Sequence, residues 1–170
     1  MHQNERYEPW LRGTFSEIHP VQRAVLHALQ LAREDLYRWC GNMTDGELSA
    51  RPGGIEPLCF HLRHISRSMD RLLTYAEGRA LDDKQLIDLR SEMKAEGTRD
   101  LLFAELDSAL EDSSARIRAF SPAQFGEPRI IGKKELPTTV AGILVHIADH
   151  TQRHVGQAVT TSKIIAAQRA

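Results

Sequence analysis

The sequence predicts an all-α protein, a four-helix bundle with long connections. Four long segments carry apolar side chains at intervals of three and four residues, which is the period of an amphipathic helix. Four such helices can bury their apolar stripes against one another. A chain of 170 residues can form that core without disulfides or structural metals. We therefore expect a single domain over residues 1–170, with its core over about 20–166.

Capping and helix-breaking residues place the four helices. The first begins at Pro20, because proline is tolerated at the first helical position. The second ends at Gly78, and the fourth has a threonine N-cap at Thr138 or Thr139. The predicted helices cover about 20–40, 55 or 57 to 77, 98–120, and 138 or 139 to 166.

The connections are longer than a minimal bundle requires. Thr44 and Glu47 form a capping-box pattern that predicts a short helical turn after the first helix. Residues 80–97 are charged and predict one or two surface turns. In the segment 121–137, RII followed by GKKEL predicts a small hairpin before the last helix. These lengths allow crossovers, so a simple up-down-up-down order is not assured.

Charge and cysteine content exclude several classes of protein. The 22 Lys and Arg residues are scattered and balance 23 Asp and Glu, which argues against a nucleic-acid partner. No apolar run is long enough to span a membrane, and MHQNERYEPW lacks the apolar region of a signal peptide. Cys40 and Cys59 cannot form a disulfide framework. We therefore expect a cytoplasmic protein with neither a nucleic-acid nor a membrane partner.

Five of the eight histidines lie in two short segments. His61 and His64 share the second helix, and His146, His150 and His154 follow at four-residue steps on the fourth. Residues four apart in a helix lie about 40° apart on one face, with Cβ atoms about 5–6 Å apart. Two such imidazoles can bind one metal at about 2.0–2.1 Å, and a third ligand would come from the second helix. The spacing leaves open which histidines would be ligands and which would only pack.

The histidine segment does not predict a zinc protease. Such helices carry a glutamate directly after the first histidine as the general base, whereas Ile147 and Thr151 occupy those positions here. Asp70 and Asp149 are the nearest carboxylates in sequence, and no catalytic residue is assigned. The arginines that flank the histidines predict a solvated charged face, with binding of a substrate anion as the alternative: Arg63, Arg67, Arg71 and Arg153.

The two histidine segments together resemble the DinB-like superfamily. The resemblance rests on HLRHISRSMDRLL in the second helix and HxxxHVGQ in the fourth, and it extends over about residues 20–165. It implies a four-helix bundle that binds a divalent metal through three histidines, which fall on His64, His150 and His154. His61, His146 and Gln157 would then be supporting neighbours. Many members have an arginine after the last ligand, where this chain has Val155.

Three neutral imidazoles leave an open coordination position for water, a substrate carbonyl or a thiolate. The resemblance accordingly implies a metal-dependent hydrolase or a transferase of a low-molecular-weight thiol such as bacillithiol or mycothiol. The expected cofactor is Zn, Ni, Fe or Mn, and the expected partners are a small-molecule substrate and a second copy in a homodimer. The alternatives are a non-catalytic metal-binding or stress-response protein, and a helical dimer whose histidines bind nothing.

Overall fold

The computed structural model describes residues 7–94 and 97–169, which form six helices and one two-stranded sheet. The helices are α1 Pro20–Cys40, α2 Asp45–Ser49, α3 Leu58–Ala76, α4 Asp83–Ser91, α5 Arg99–Ala119 and α6 Val140–Ala167. The strands are β1 Pro128–Ile131 and β2 Leu136–Thr139. The predicted all-α class and the small hairpin are confirmed.

The four long helices α1, α3, α5 and α6 form a bundle in which consecutive helices are not always neighbours. α1 packs against α5 and α6, and α3 packs against the same two helices. α1 and α3 therefore lie at opposite corners, as do α5 and α6. The connections that contain α2 and the hairpin cross the bundle diagonally. This order places α3 beside α6, so it brings the two histidine segments together.

Side-chain caps fix the helix ends that position these segments. The hydroxyl of Thr139 accepts a hydrogen bond from the backbone N–H of Gly142 at 3.1 Å and begins α6. Thr44 and Glu47 form the predicted capping box at α2. The antiparallel register pairs Pro128 with Thr139, so the hairpin ends where α6 begins.

The core lies between the four long helices and is apolar. Cys40 and Cys59 are fully buried within it. The largest side chains with almost no exposed surface are Leu36, Leu48, Leu58, Leu62, Ile65, Met69, Leu73, Leu102, Leu106, Ile117, Leu144 and Ile147. Removal of this apolar surface from water stabilises the bundle by about 25 cal/mol per Å².

Of two expectations about charged residues, one was incomplete and one was wrong. Residues 80–97 are more than surface turns, because α4 lies against α3 and its Gln85 donates hydrogen bonds to Asp70 and Thr74; residues 95 and 96 lie outside the described part. Arg63 and Arg71 belong to no solvated face, since both are buried. α4 and the residues that follow it to 94 (here the α4 segment) cover the side of α3 that carries these arginines.

None of the helices in the described ranges is both long and apolar enough to cross a membrane.

Replacement of Leu106 by alanine should lower the free energy of unfolding by about 2–5 kcal/mol, because a fully buried leucine leaves a cavity. Leu101→Ala is a matched control on the same helix, where the leucine is 67% exposed. Its effect should stay within about 0.5 kcal/mol. Urea unfolding followed by circular dichroism measures both values, and equal losses would contradict this assignment of the α5 core face.

Candidate metal centre

Three histidines from two helices converge at the boundary of α3 and α6. His64, His150 and His154 each offer a ring nitrogen, and these nitrogens lie within 4.8 Å of one another. Nε2 of His64 lies 2.9 Å from Nε2 of His150. The ring of His154 is centred 4.4 Å from that of His64 and 4.7 Å from that of His150. Among the described residues, this is the cluster whose donors could share a metal ion.

Packing of the two helices explains the convergence. Ile65 beside His64 is fully buried, and so is Ile147 one turn before the 150–154 segment. These apolar neighbours hold α3 and α6 together, while the three histidines lie partly buried at the edge of the contact. The four-residue step keeps His150 and His154 on the same face of α6.

The ring of His64 is held by Glu92 and Phe60 in addition to His150. Its Nδ1 lies 2.7 Å from Oε2 of Glu92, a carboxylate that follows α4 and is almost fully buried. The other oxygen of Glu92 accepts a hydrogen bond from Arg71. Phe60 stacks on the His64 ring, with centroids 5.2 Å apart and planes 20° apart. This ring therefore has little freedom to rotate.

His61 supports His154 from the α3 side. It is buried, and its Nδ1 lies 3.1 Å from Nδ1 of His154. One of the two rings therefore donates its N–H to the other. His61 thus contacts a member of the cluster rather than joining the three.

His146 and Gln157 lie further from the cluster. The side chain of His146 is about half exposed, with its ring centred 5.4 Å from that of His150 and Asp149 as a neighbour. Gln157 is exposed and lines a cavity beside His154. Asp70 binds Arg116 and Gln85 away from the histidines.

Burial keeps most of the cluster uncharged. Desolvation, reinforced by the charge of neighbouring His64, lowers the pKa of His61 and of His150 to about 4. The same causes lower the pKa of His154 to about 3. Burial alone would raise the pKa of the Glu92 carboxyl, but hydrogen bonds from His64 and Arg71 outweigh it and hold that pKa below its ordinary value. His61, His150 and His154 are therefore neutral at ordinary pH, near one carboxylate.

This donor set fits a divalent metal ion. Two nitrogens bound to one tetrahedral zinc at about 2.0–2.1 Å are about 3.3 Å apart, close to the 2.9 Å between the Nε2 atoms of His64 and His150. Neutral imidazole is the protonation state that binds a metal. A carboxylate on the far nitrogen of a ligand histidine is a common feature of metal sites.

A cavity of about 600 Å³ opens beside the cluster. His61 and His154 form part of its wall, with apolar Ile55 and Phe60 and with Arg153 and Gln157 among the polar groups. A larger cavity of about 750 Å³ lies between α3, α4 and the hairpin, and none of the histidines lines it. The smaller cavity is therefore the better candidate for a substrate site, because it adjoins groups with chemistry to offer.

Sequence reasoning missed Glu92 and assigned Arg71 to a solvated face, whereas the structure pairs the two. Glu92 lies in the charged segment RSEMKAEG, whose composition is typical of exposed turns. Its only signal would have been an acidic residue in a long connection between two helices of a metal-binding bundle.

The metal-free protein should lose stability as the pH falls below about 6.5, the ordinary histidine pKa. In that range His61, His150 and His154 are protonated in the unfolded chain but remain neutral in the folded protein. Proton uptake therefore favours unfolding. The histidine contribution is complete above about pH 6.5 and is lost on approach to their folded pKa values, about 4 and about 3. Urea unfolding of chelator-treated protein measures this slope, and His154→Gln should flatten it between pH 7 and about 5.5. An unchanged slope would contradict the lowered pKa of His154.

Comparisons with known proteins agree with the fold. The chain matches the family model described as the DinB superfamily over residues 28–158. A conserved protein of Enterococcus faecalis has a similar structure, with a TM-score of 0.71 and 18% identity over 88% of this chain and 99% of that one. YfiT from Bacillus subtilis, described as a probable metal-dependent hydrolase with an unusual four-helix bundle topology, has a TM-score of 0.62 and 18% identity over 84% of this chain and 86% of its own. A comparison with the curated proteins finds no match. Since the family model covers most of the sequence, the chain belongs to the DinB superfamily.

Proposed function

We propose that the protein is a metal-dependent enzyme acting on a small molecule, in which His64, His150 and His154 bind one divalent ion. The observation that carries the proposal is the convergence of three nitrogens from α3 and α6 within 4.8 Å, beside a cavity of about 600 Å³. Zinc, nickel, iron and manganese all accept imidazole ligands.

Hydrolysis is the first candidate reaction. A metal held by three histidines leaves a coordination position at which it can acidify a water molecule or polarise a carbonyl group. The cavity beside His154 has room for a substrate of modest size, with Arg153 and Gln157 as polar contacts. The description of YfiT as a probable metal-dependent hydrolase supports this candidate.

Transfer of a low-molecular-weight thiol is the second candidate, because a thiolate can occupy the same open coordination position. Glu92 is engaged by His64 and Arg71, Asp149 by Arg153, and Glu56 by Arg51. Within the described ranges each of these possible general bases is already paired. A metal-bound thiol is deprotonated by the metal and needs no such base.

A non-catalytic metal-binding or stress-response role is the alternative. It would be favoured if a fourth protein ligand closed the coordination shell, because a closed shell offers no position for substrate. Homodimerisation, a single domain over 1–170 and a cytoplasmic location stay predictions from the sequence.

Metal analysis of tag-free protein should find about one divalent ion per chain, and His150→Ala/His154→Ala should lose it, because one imidazole alone binds weakly. His146→Ala is the matched control: it removes a half-exposed histidine one turn away on the same helix and should retain the metal. Absence of metal from the wild-type protein after reconstitution with zinc, nickel and manganese would refute the proposed function. Equal losses in the control would place the site elsewhere on α6.

Activity assays separate the two candidate reactions. The metal-loaded protein is tested against a panel of esters and amides, and separately against an electrophile with and without an added thiol. Turnover that requires the thiol identifies a transferase, and turnover without it identifies a hydrolase. Either activity should disappear in the double histidine variant, since both reactions use the same ion. A metal-loaded protein with no turnover in either assay would favour the non-catalytic alternative.

A further inference from the structure

Helix α4 and the residues after it bring a buried charge to the histidine cluster. α4 lies against α3, and Glu92 follows directly after its last residue. The side chain of Glu92 is only 3% exposed. Burial of a carboxylate costs free energy unless the group is paired and hydrogen-bonded. The contacts that compensate this cost therefore indicate the role of Glu92.

Glu92 contacts both His64 and the guanidinium group of Arg71. Oε2 of Glu92 is 2.7 Å from Nδ1 of His64, and Oε1 accepts from Arg71. An ionised carboxylate can only accept hydrogen bonds, so Nδ1 of His64 must be the donor. Its Nε2, which faces Nε2 of His150 at 2.9 Å, is then the nitrogen left to bind a metal.

We propose that Glu92 is a positioning residue of the metal centre: it sets the tautomer and orientation of His64 and raises the electron density on its ligand nitrogen. The proposal rests on the proposed function only in that His64 must bind a divalent ion. It makes the α3–α5 connection part of the site, although the motif histidines lie on α3 and α6.

The placement of Glu92 depends on further contacts between α3 and the α4 segment. Arg67 donates to the carbonyl of Asp88 and the hydroxyl of Ser91, and Arg63 donates to the carbonyl of Lys94. These hydrogen bonds come from the same side of α3 as Arg71. The α3 arginines therefore hold the segment that carries the carboxylate to His64.

The test is a competitive zinc titration of the full chain against a chromophoric chelator. Glu92→Gln keeps the size of the side chain but removes its charge, and it should weaken zinc binding about 10–100-fold. Glu105→Gln is the matched control, because Glu105 also pairs with an α3 arginine, Arg67, yet the structure records no contact between it and a histidine. Its zinc affinity should match that of the wild-type protein.

Cobalt(II) substitution gives a readout that a purely structural role would not move. The visible absorption of bound cobalt reports the ligand field, so Glu92→Gln should shift the spectrum while Glu105→Gln leaves it unchanged. Loss of the Glu92 charge also leaves Arg71 buried without its partner. If that variant does not fold, Arg71→Gln/Glu92→Gln replaces both charges and should show the same weaker binding and shifted spectrum.

Two results overturn the proposal in distinguishable ways. Wild-type affinity and an unchanged cobalt spectrum in the folded glutamine variant would refute the positioning role alone, with the three-histidine site intact. Absence of metal from the wild-type protein would refute both the proposed function and the role of Glu92.

Discussion

The side-by-side packing of α3 and α6 is the contact on which the rest of the site depends. Each helix supplies an apolar stripe that buries Ile65 or Ile147, and the histidines lie at the edge of the same interface. Because close-packed interiors tolerate little displacement, the packing of the core determines where the histidine rings lie. A bundle with α3 and α6 at opposite corners would have kept its helices and lost the cluster.

Partial burial then sets the chemical character of the cluster. Desolvation lowers the pKa of His150 and of His154, so both are neutral at ordinary pH. A fully exposed pair would instead become protonated near pH 6.5, and protons would then compete with a metal for the ring nitrogens. The carboxylate of Glu92, in contrast, places a negative charge next to the ring of His64. The cluster thus places neutral His150 and His154 near one buried carboxylate.

The sequence predicted the helices and the histidine pattern, because both depend on local spacing. Apolar periodicity marked α3 and α6, and Pro20 and Thr139 marked helix starts that the structure confirms. The order of helices around the bundle was not predictable, since a stripe shows which face is buried but not which neighbour covers it. Glu92 was missed, and Arg71 was assigned to a solvated face, for a related reason: the two form a buried ion pair across 21 residues of sequence. Pairing between distant charged residues leaves no periodic trace.

The separation of the cluster along the chain has a consequence for biosynthesis. Glu92 follows His64 by 28 residues, whereas His150 follows it by 86. Because a protein is made from its N-terminus, the carboxylate–histidine pair can emerge from the ribosome while α6 is still being translated. At that stage it offers an ion only one oriented imidazole. Under the proposed function, selection of the metal would therefore wait for the completed chain, where the geometry of the bundle rather than the affinity of a single side chain would decide which ion is retained.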